Sequence, residues 1–363
     1  MIYIAYFVLG FTVLQLFVSF ANLLFRERLR KGKLENNPLV SVLIPARNEE
    51  LNIGNILQDL LSQDYQNIEI IVFNDQSDDR TSEIVLDCSK RDRRINLINS
   101  EGLPNGWLGK NYACHKLSLS AKGDYFLFLD ADVRTNDGII SNSIAFIEKY
   151  DLALISIFPR QIISTFGEKI TVPNMNYILL SLLPLVLVRK LPFPSMAAAN
   201  GQFMMFNSKI YKSICPHELL KGNKVEDIEI ARFLKNNKFR IACLTGDKTI
   251  MCRMYPGFSE AVNGFSKNVT AFFGNSLLLS LLFWITTTFG FIPVFSVMSL
   301  THFLFYLSAY ILTRIFITIT SEQNLFLNLL LFIPQQISCG LFIHKAFTNR
   351  LFKDYQWKGR SIK

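Results

Sequence analysis

The run Leu39-Val40-Ser41-Val42-Leu43-Ile44-Pro45-Ala46-Arg47-Asn48-Glu49-Glu50 sets the frame for the rest of the chain. Leu39 to Ile44 is short, apolar and rich in branched side chains, so it reads as a strand buried on both faces. It stops in a proline and a cluster of charge, and Ile53 to Leu61 follows with the apolar spacing of an amphipathic helix. The same unit recurs downstream. Ile68 to Phe73 is a second strand and Thr81 to Cys88 a second helix; Ile95 to Ile98 is a third strand, Tyr112 to Leu119 helical, and Tyr125 to Leu129 a fourth strand. Strands alternating with helices predict an α/β domain with a mostly parallel, Rossmann-like sheet. Ligands in such sheets bind beyond the carboxyl ends of the strands, so polar residues just after strands are the ones to weigh.

Four segments answer that description. After the first strand come Arg47, Glu49 and Glu50, which taken alone suit a solvated turn that caps the next helix. After the second comes Asn74-Asp75-Gln76-Ser77-Asp78-Asp79; Asp78 or Asp79 suits a helix cap, whereas Asp75 stands at the strand end where no cap is needed. After the fourth comes Asp130-Ala131-Asp132, two carboxylates whose repulsion is tolerated when a divalent cation or ribose hydroxyls lie between them. Short strings of this kind are common by chance, and its place behind an apolar strand is what gives it weight. The fourth, Glu226-Asp227, opens a helix, where acidic residues favour the macrodipole but where a general base could also stand.

The flanks of this domain are of another kind. Met1 to Phe25 carries no charge and is long enough to cross a bilayer, which takes about 20 residues. It lacks the basic start and small-residue end of a cleaved signal, so a retained membrane helix is expected. The net charge of +9 sits mainly beside such segments. Residues 26–33 hold five basic side chains against Glu27, residues 345–363 hold six against Asp354, and the remainder balances at 27 of each sign. That distribution excludes a broad nucleic-acid face and places the following domain on the cytoplasmic side. The six cysteines show no metal spacing and read as reduced packing residues.

From Ser276 to His344 only Arg314 and Glu322 are charged, which suggests about three further spans; Leu325 to His344, broken by Pro334, Gln335, Gln336 and Gly340, is the segment expected to be re-entrant. The expected organisation is a membrane helix at 1–25, a basic linker at 26–37, the α/β domain at 38–272, membrane segments at 273–345 and a basic tail at 346–363. Tyr177 to Val188 is apolar but too short to span; it is expected to lie in the interface, with Arg189 and Lys190 toward lipid headgroups, and a core helix is the plainer alternative.

Pro45-Ala46-Arg47-Asn48-Glu49, the Asp75 segment, Asp130-Ala131-Asp132 and Glu226-Asp227 resemble, in order and spacing, the family 2 inverting glycosyltransferases of GT-A fold. Gly106-Trp107-Leu108-Gly109-Lys110-Asn111-Tyr112-Ala113-Cys114, Arg253-Met254-Tyr255-Pro256-Gly257-Phe258 and Trp357-Lys358-Gly359-Arg360 look like the membrane branch with the carotenoid (diaponeurosporenoate) and hopanoid-associated glycosyltransferases. The resemblance implies a multi-pass hexosyltransferase of the cell membrane. It would transfer one sugar from a nucleotide-diphosphate donor, a UDP-sugar before others, to a carotenoid, hopanoid, polyprenyl lipid or glycolipid. Pro45, Ala46, Arg47 and Glu49 would line the nucleotide pocket, Asp75 would bind the base, Asp130 would approach the ribose and Lys110 would be a counter-charge. Asp132 would hold Mg²⁺ or Mn²⁺, and Asp227 would be the general base. Asn200, Gly201, Gln202 and Glu226 would lie on the acceptor side, with Arg253, Tyr255, Trp357 and Arg360 closing over the donor or anchoring the domain.

Two departures narrow the implication. The usual Asp-Asp-Gly-Ser is Asn74-Asp75-Gln76-Ser77 here, which keeps the aspartate and stiffens the turn. The Gln-x-x-Arg-Trp string of processive synthases is absent, which favours a single transfer. A nucleotidyltransferase would also pair carboxylates with an α/β sheet but needs a glycine-rich phosphate loop near the first strand, and none is present; a non-catalytic membrane scaffold or transporter is the third reading.

Overall fold

The computed structural model describes residues 1–352 and the backbone of the short hairpin β11–β12 (Gln356–Trp357, Arg360–Ser361). Its centre is a sheet of seven strands: β1 (Val40–Ala46), β2 (Ile68–Asn74), β3 (Ile95–Asn99), β4 (Tyr125–Leu129), β6 (Leu154–Phe158), β8 (Phe203–Asn207) and β9 (Ile241–Thr245). Three short strands, β5 (Val133–Thr135), β7 (Arg160–Gln161) and β10 (Ile250–Cys252), make a second sheet. The large sheet runs β3-β2-β1-β4-β8-β6-β9. All neighbours are parallel except β8, which is antiparallel to both β4 and β6. The mostly parallel α/β expectation therefore holds; β6, β8 and β9 are the strands of this sheet that the sequence reading did not contain.

Two-sided burial explains the composition of the strands. In β1, Leu43 joins one core with Phe73, Phe126 and Phe128, while Val42 and Ile44 join the opposite core with Val72, Leu127 and Leu129. Neither face leaves room for charge, so charge collects where the strands stop. The chain leaves β1 toward β2 and β3 on one side and returns to β4 on the other, which makes the β1–β4 seam the switch point of the sheet. The β1–β4 ladder runs only from Val40 to Leu43 opposite Tyr125 to Phe128. Beyond it the two strands part, and Pro45 is accommodated because no β4 residue is registered against it.

The apolar segments form the other layer. Two helices, Ile2–Phe25 and Leu300–Thr320, are long and apolar enough to cross a membrane; Phe258–Phe273 with Leu277–Phe289, bent by 99° at the break, would make a third if the pair is one span. Phe20 and Phe316 join the first two at 5.5 Å between rings. Within 276–344, Leu277–Phe289 has 13 residues, about 20 Å of helix at 1.5 Å each against a hydrocarbon core of about 30 Å, and Leu300–Thr320 has 21. The block expected to be re-entrant is broken into Leu325–Leu330 and Phe332–Phe352. Gln335 and Gln336 are buried there because Gln335 bonds Arg314, Asn328 and the Lys169 carbonyl and Gln336 accepts from Trp284 and Thr288.

The run at 177–188 is a core segment, not an interfacial one. It lies in Pro173–Leu182 and Leu185–Lys190, and Tyr177, Ile178, Leu179 and Leu180 are all buried. Pro184 interrupts the helix and frees backbone groups, and Asn22 of the first helix satisfies them: its amide donates to the carbonyls of Leu180 (3.0 Å) and Leu183 (2.9 Å) and accepts from Leu185 N–H (2.8 Å). Arg189 pairs with Glu27 at 2.7 Å instead of reaching for lipid.

Candidate functional site

Where β1 and β4 part, a cavity of about 1150 Å³ opens. Its wall contains every expected site residue from the described side chains: Pro45, Ala46, Arg47, Glu49, Asp75, Lys110, Asp130, Asp132, Asn200, Gly201, Gln202, Glu226, Asp227, Arg253 and Tyr255. The Trp357 and Arg360 side chains lie outside the described residues.

The loops after β1 and β2 are laced together. Arg47 donates to the carbonyls of Asp75 (2.6 Å) and Gln76 (3.1 Å), and Asp75 N–H donates back to the Ala46 carbonyl at 2.8 Å. Asp75 is thereby buried at the strand end with 2% of its surface exposed. Gln76 stands at φ 51°, the left-handed region that glycine enters freely and other residues enter at a cost of about 1–2 kcal/mol. The turn thus keeps a glycine-type geometry although the glycine is gone. Asp79 accepts from Thr81 N–H, from Thr81 Oγ1 and from Glu50 N–H just ahead of the helix Thr81–Arg91, whose N-cap position is Arg80 and not the expected Asp78 or Asp79.

The loop after β4 meets a lysine. Lys110, in the first turn of the helix Gly109–Ser120, lies 2.8 Å from Asp130 Oδ1 and 3.8 Å from Glu226 Oε1. Burial disfavours its charge, but the carboxylates of Asp130 and Glu226 outweigh burial and raise its pKa. Glu226 and Asp227 open the helix Glu226–Asn236. Burial raises both, against the opposing pull of Lys110; Glu226 is pushed up to about 7. Asp227 Oδ2 accepts the Gly201 N–H at 2.9 Å, so this carboxylate is aimed at the Asn200-Gly201-Gln202 turn. The turn itself is pinned: Asn200 N–H donates to Ser156 Oγ at 2.8 Å, and Gln202 N–H to Asn200 Oδ1 at 2.8 Å.

Two positioning residues, Asn111 and Glu168, were given no role in the sequence reading. Asn111 is buried and donates to the carbonyls of Leu220, Lys221 and Asn223, fixing the loop that delivers Glu226 and Asp227. Glu168 is fully buried, accepts from Ser164 and Thr165 N–H, and receives Arg253 at 2.8 Å. Burial alone would raise its pKa, and those donors bring it below the usual range. Thr165-Phe166-Gly167-Glu168 has the pattern of a capping box, which was the available signal. Tyr255 packs against Gly264, where an added Cβ would come within 2.1 Å of the ring, so it seats the helix Phe258–Asn268. Arg253 and Tyr255 are thus both engaged with the frame.

The cavity lining also includes apolar residues, among them Met175, Ile178, Val269, Phe272 and Phe342. Among the described residues, no group of three or more His, Cys, Asp or Glu side chains converges as a metal cage. Asp130 and Asp132 are hard oxygen donors on the cavity wall, and a cation of the Mg²⁺ or Mn²⁺ type is commonly held by one or two carboxylates with phosphate oxygens and water completing its shell. The donor set fits a metal shared with a ligand.

Residues 41–215 match the model of Glycosyl transferase family 2. A 4,4'-diaponeurosporenoate glycosyltransferase of Staphylococcus haemolyticus is 24% identical over 287 residues, covering 76% of this chain and 72% of the relative. The protein of the same name from Staphylococcus aureus is 24% identical over 279 residues, covering 72% and 69%. A mannosyltransferase of Pyrobaculum calidifontis, solved with GDP-Man and Mn²⁺, shares the fold with a TM-score of 0.60 at 15% identity over 96% of this chain and 98% of its own. Residues 41–215 therefore carry a glycosyl transferase family 2 domain on a GT-A fold, and the named homologues mark the chain as a transferase related to the diaponeurosporenoate glycosyltransferases.

Proposed function

We propose that the protein is a membrane-bound, inverting glycosyltransferase that moves one sugar from a nucleotide-diphosphate sugar, a UDP-sugar before others, to a lipid-type acceptor on the cytoplasmic side. The mixed lining of the cavity carries this reading: acidic residues and Lys110 gather at the strand ends, and Met175, Ile178, Phe272 and Phe342 add apolar surface to the same cavity. A charged donor suits the polar residues and a lipid the apolar ones. The relatives named for a diaponeurosporenoate acceptor support a lipid-type acceptor as well.

In this reading Arg47 and Asp75 hold the nucleotide between two interlocked loops. Asp130 and Asp132 face the ribose and the diphosphate, and Asp132 would hold Mg²⁺ or Mn²⁺, which stabilises the negative charge that develops on the departing diphosphate. Lys110 is a second counter-charge. An acceptor oxygen forms a bond to the anomeric carbon, and the bond from that carbon to the diphosphate oxygen breaks with its electron pair leaving on the nucleoside diphosphate. The acceptor proton passes to Asp227, and attack from the face opposite the nucleotide inverts the configuration.

The test is to incubate membranes holding the full chain with labelled nucleotide sugars and lipid extract. Label should enter the organic phase with release of nucleoside diphosphate. Neither product, with any donor base, would remove this reading.

A further inference from the structure

We infer that a second pocket, where the two membrane-long helices end, holds the headgroup of an anionic phospholipid. This rests on the membrane placement proposed above and not on glycosyl transfer. The pocket, about 330 Å³, is lined by Arg160 and Gln161 of β7, by Lys169, and by Glu322 and Gln323 just after the helix Leu300–Thr320. Arg28, shortly beyond the helix Ile2–Phe25, pairs with Glu322 at 2.6 Å and donates to the Thr320 carbonyl. The two helices therefore end side by side, where the basic run 26–33 begins. A pocket at that level lies where lipid headgroups lie.

Its charge is unbalanced. Arg28, Arg160 and Lys169 stand against Glu322, which leaves a net charge of +2. Glu322 is already held by Arg28, while Arg160 stands 3.8 Å from its other oxygen and Lys169 has no ion pair among the described residues. Two amide atoms are left over as well. Gln161 Nε2 donates to the Pro159 carbonyl at 3.0 Å and Gln323 Oε1 accepts from Asn328 at 2.8 Å, but Gln161 Oε1 and Gln323 Nε2 are buried without a hydrogen-bond partner among the described residues. Such atoms are rare in folded proteins and point to a partner from outside the chain. A phosphodiester headgroup meets both needs: its oxygens accept from Gln323 Nε2 and pair with Arg160 and Lys169, and a headgroup hydroxyl donates to Gln161 Oε1. The rim favours a lipid over a free anion. Ile162 of the lining, and Leu325 and Phe326 directly after the lining residue Asn324, are apolar side chains left exposed, a surface that acyl chains cover.

The test titrates the purified full chain in neutral detergent, without nucleotide sugar, with short-chain phosphatidylglycerol, phosphatidylcholine of the same acyl chains, and inorganic phosphate. Membrane fractionation of the expressed chain runs beside it. The wild type should bind phosphatidylglycerol saturably and the other two about tenfold more weakly, since one lacks the net charge and the other the apolar chains. Arg160→Gln and Lys169→Gln should each weaken phosphatidylglycerol binding about fivefold, the scale of one basic residue at an anionic surface. Lys31→Gln, the same loss of charge in the basic run but outside the pocket lining, should leave binding unchanged, which separates this pocket from a diffuse basic surface. The comparison of probes on the wild type stands even if a variant fails to fold. Equal binding of phosphatidylcholine overturns the anionic headgroup. Inorganic phosphate bound as tightly as phosphatidylglycerol makes this a free-anion site and overturns the lipid. Full binding by both Arg160→Gln and Lys169→Gln overturns the pocket. A chain in the membrane fraction that binds none of the probes saturably overturns this inference alone, whereas a chain in the soluble fraction overturns the membrane placement and this inference with it.

Discussion

Lys110 Nζ lies 2.8 Å from the carboxylate of Asp130, which joins the start of the helix Gly109–Ser120 to the loop after β4. The pair does more than close a gap between elements. Asp130, Glu226 and Asp227 all lie within the reach of this one ammonium, and their repulsion is relieved by it. Lys110→Met should therefore destabilise the fold by about 1–3 kcal/mol, below the 3–5 kcal/mol of a fully buried pair because the side chains keep 25% and 26% of their surface. Thermal denaturation should show the loss growing from mildly acidic to mildly basic pH as the carboxylates ionise. A loss independent of pH would mean that packing of the lysine stem, not its charge, is what matters.

Asp132→Ala should lower transfer by 10²-fold or more, since an unneutralised diphosphate leaving group costs several kcal/mol in the transition state. The melting temperature should stay within a degree or two, because Asp132 lies on the cavity wall and not in either core. Donor titration with and without Mg²⁺ or Mn²⁺ gives the sharper measurement. The wild type should bind donor more tightly with the cation, and the variant should lose that difference. A variant that keeps both the difference and its turnover would move the cation away from this carboxylate.

Much of this site was legible because of where the strands stop. A parallel sheet buried on both faces admits no charge within its strands, so Arg47, Asp75, Asp130 and Asp132 had one place to go, and the order of β1, β2 and β4 brings them together. Other features depend on contacts between distant segments. The antiparallel β8 carries Asn200 to Gln202 at its approach, and nothing in its own five residues states its direction. The run at 177–188 has the composition of an interfacial helix, and it is the polar face of Ile2–Phe25, with Gln15 and Asn22, that takes it inward. Glu168 and Arg253 are 85 residues apart in the chain, and only the fold pairs them.

Asn22→Leu tests that inward docking. Asn22 satisfies two carbonyls and one N–H at the break around Pro184, and it is itself 4% exposed. Leucine has similar volume and leaves those groups without partners, at about 1–3 kcal/mol for each buried group that water cannot reach. The variant should melt several degrees lower and be cleaved more readily by protease near residue 184. Unchanged stability would mean that the break is held by the surrounding apolar contacts alone.

Arg26, Arg28, Arg30, Lys31 and Lys33 directly after the first helix predict a cytoplasmic position for the domain. A reporter inserted near Lys122, exposed just before β4, should read as cytoplasmic. An outside reading would overturn the topology and remove access to cytoplasmic nucleotide sugars.

Asp227→Asn is the test of the proposed base. Asparagine keeps the shape and can still accept the Gly201 N–H through its carbonyl oxygen, now 2.9 Å from the carboxylate, but it cannot take a proton. Turnover at saturating donor should fall by about 10²-fold or more, the usual scale for a positioned base, while donor affinity by titration changes little. The pH dependence adds an independent check. Burial raises Asp227 and pushes Glu226 up to about 7, so below neutrality this pair holds a proton that a base must not hold. Wild-type kcat should accordingly fall on the acid side with a midpoint above the ordinary carboxylate range, and Asp227→Asn should flatten that limb. The same shifts act on stability with the opposite sense. A carboxyl raised in the native state keeps its proton after the unfolded chain has lost it, so this pair makes the fold less stable as pH climbs from the ordinary carboxylate range toward 7. Glu226→Gln removes that penalty and should raise the melting temperature more at mildly basic pH than at mildly acidic pH. If Asp227→Asn weakens donor binding and leaves kcat intact, Asp227 belongs to the donor side, and Glu226 becomes the carboxylate to test as base.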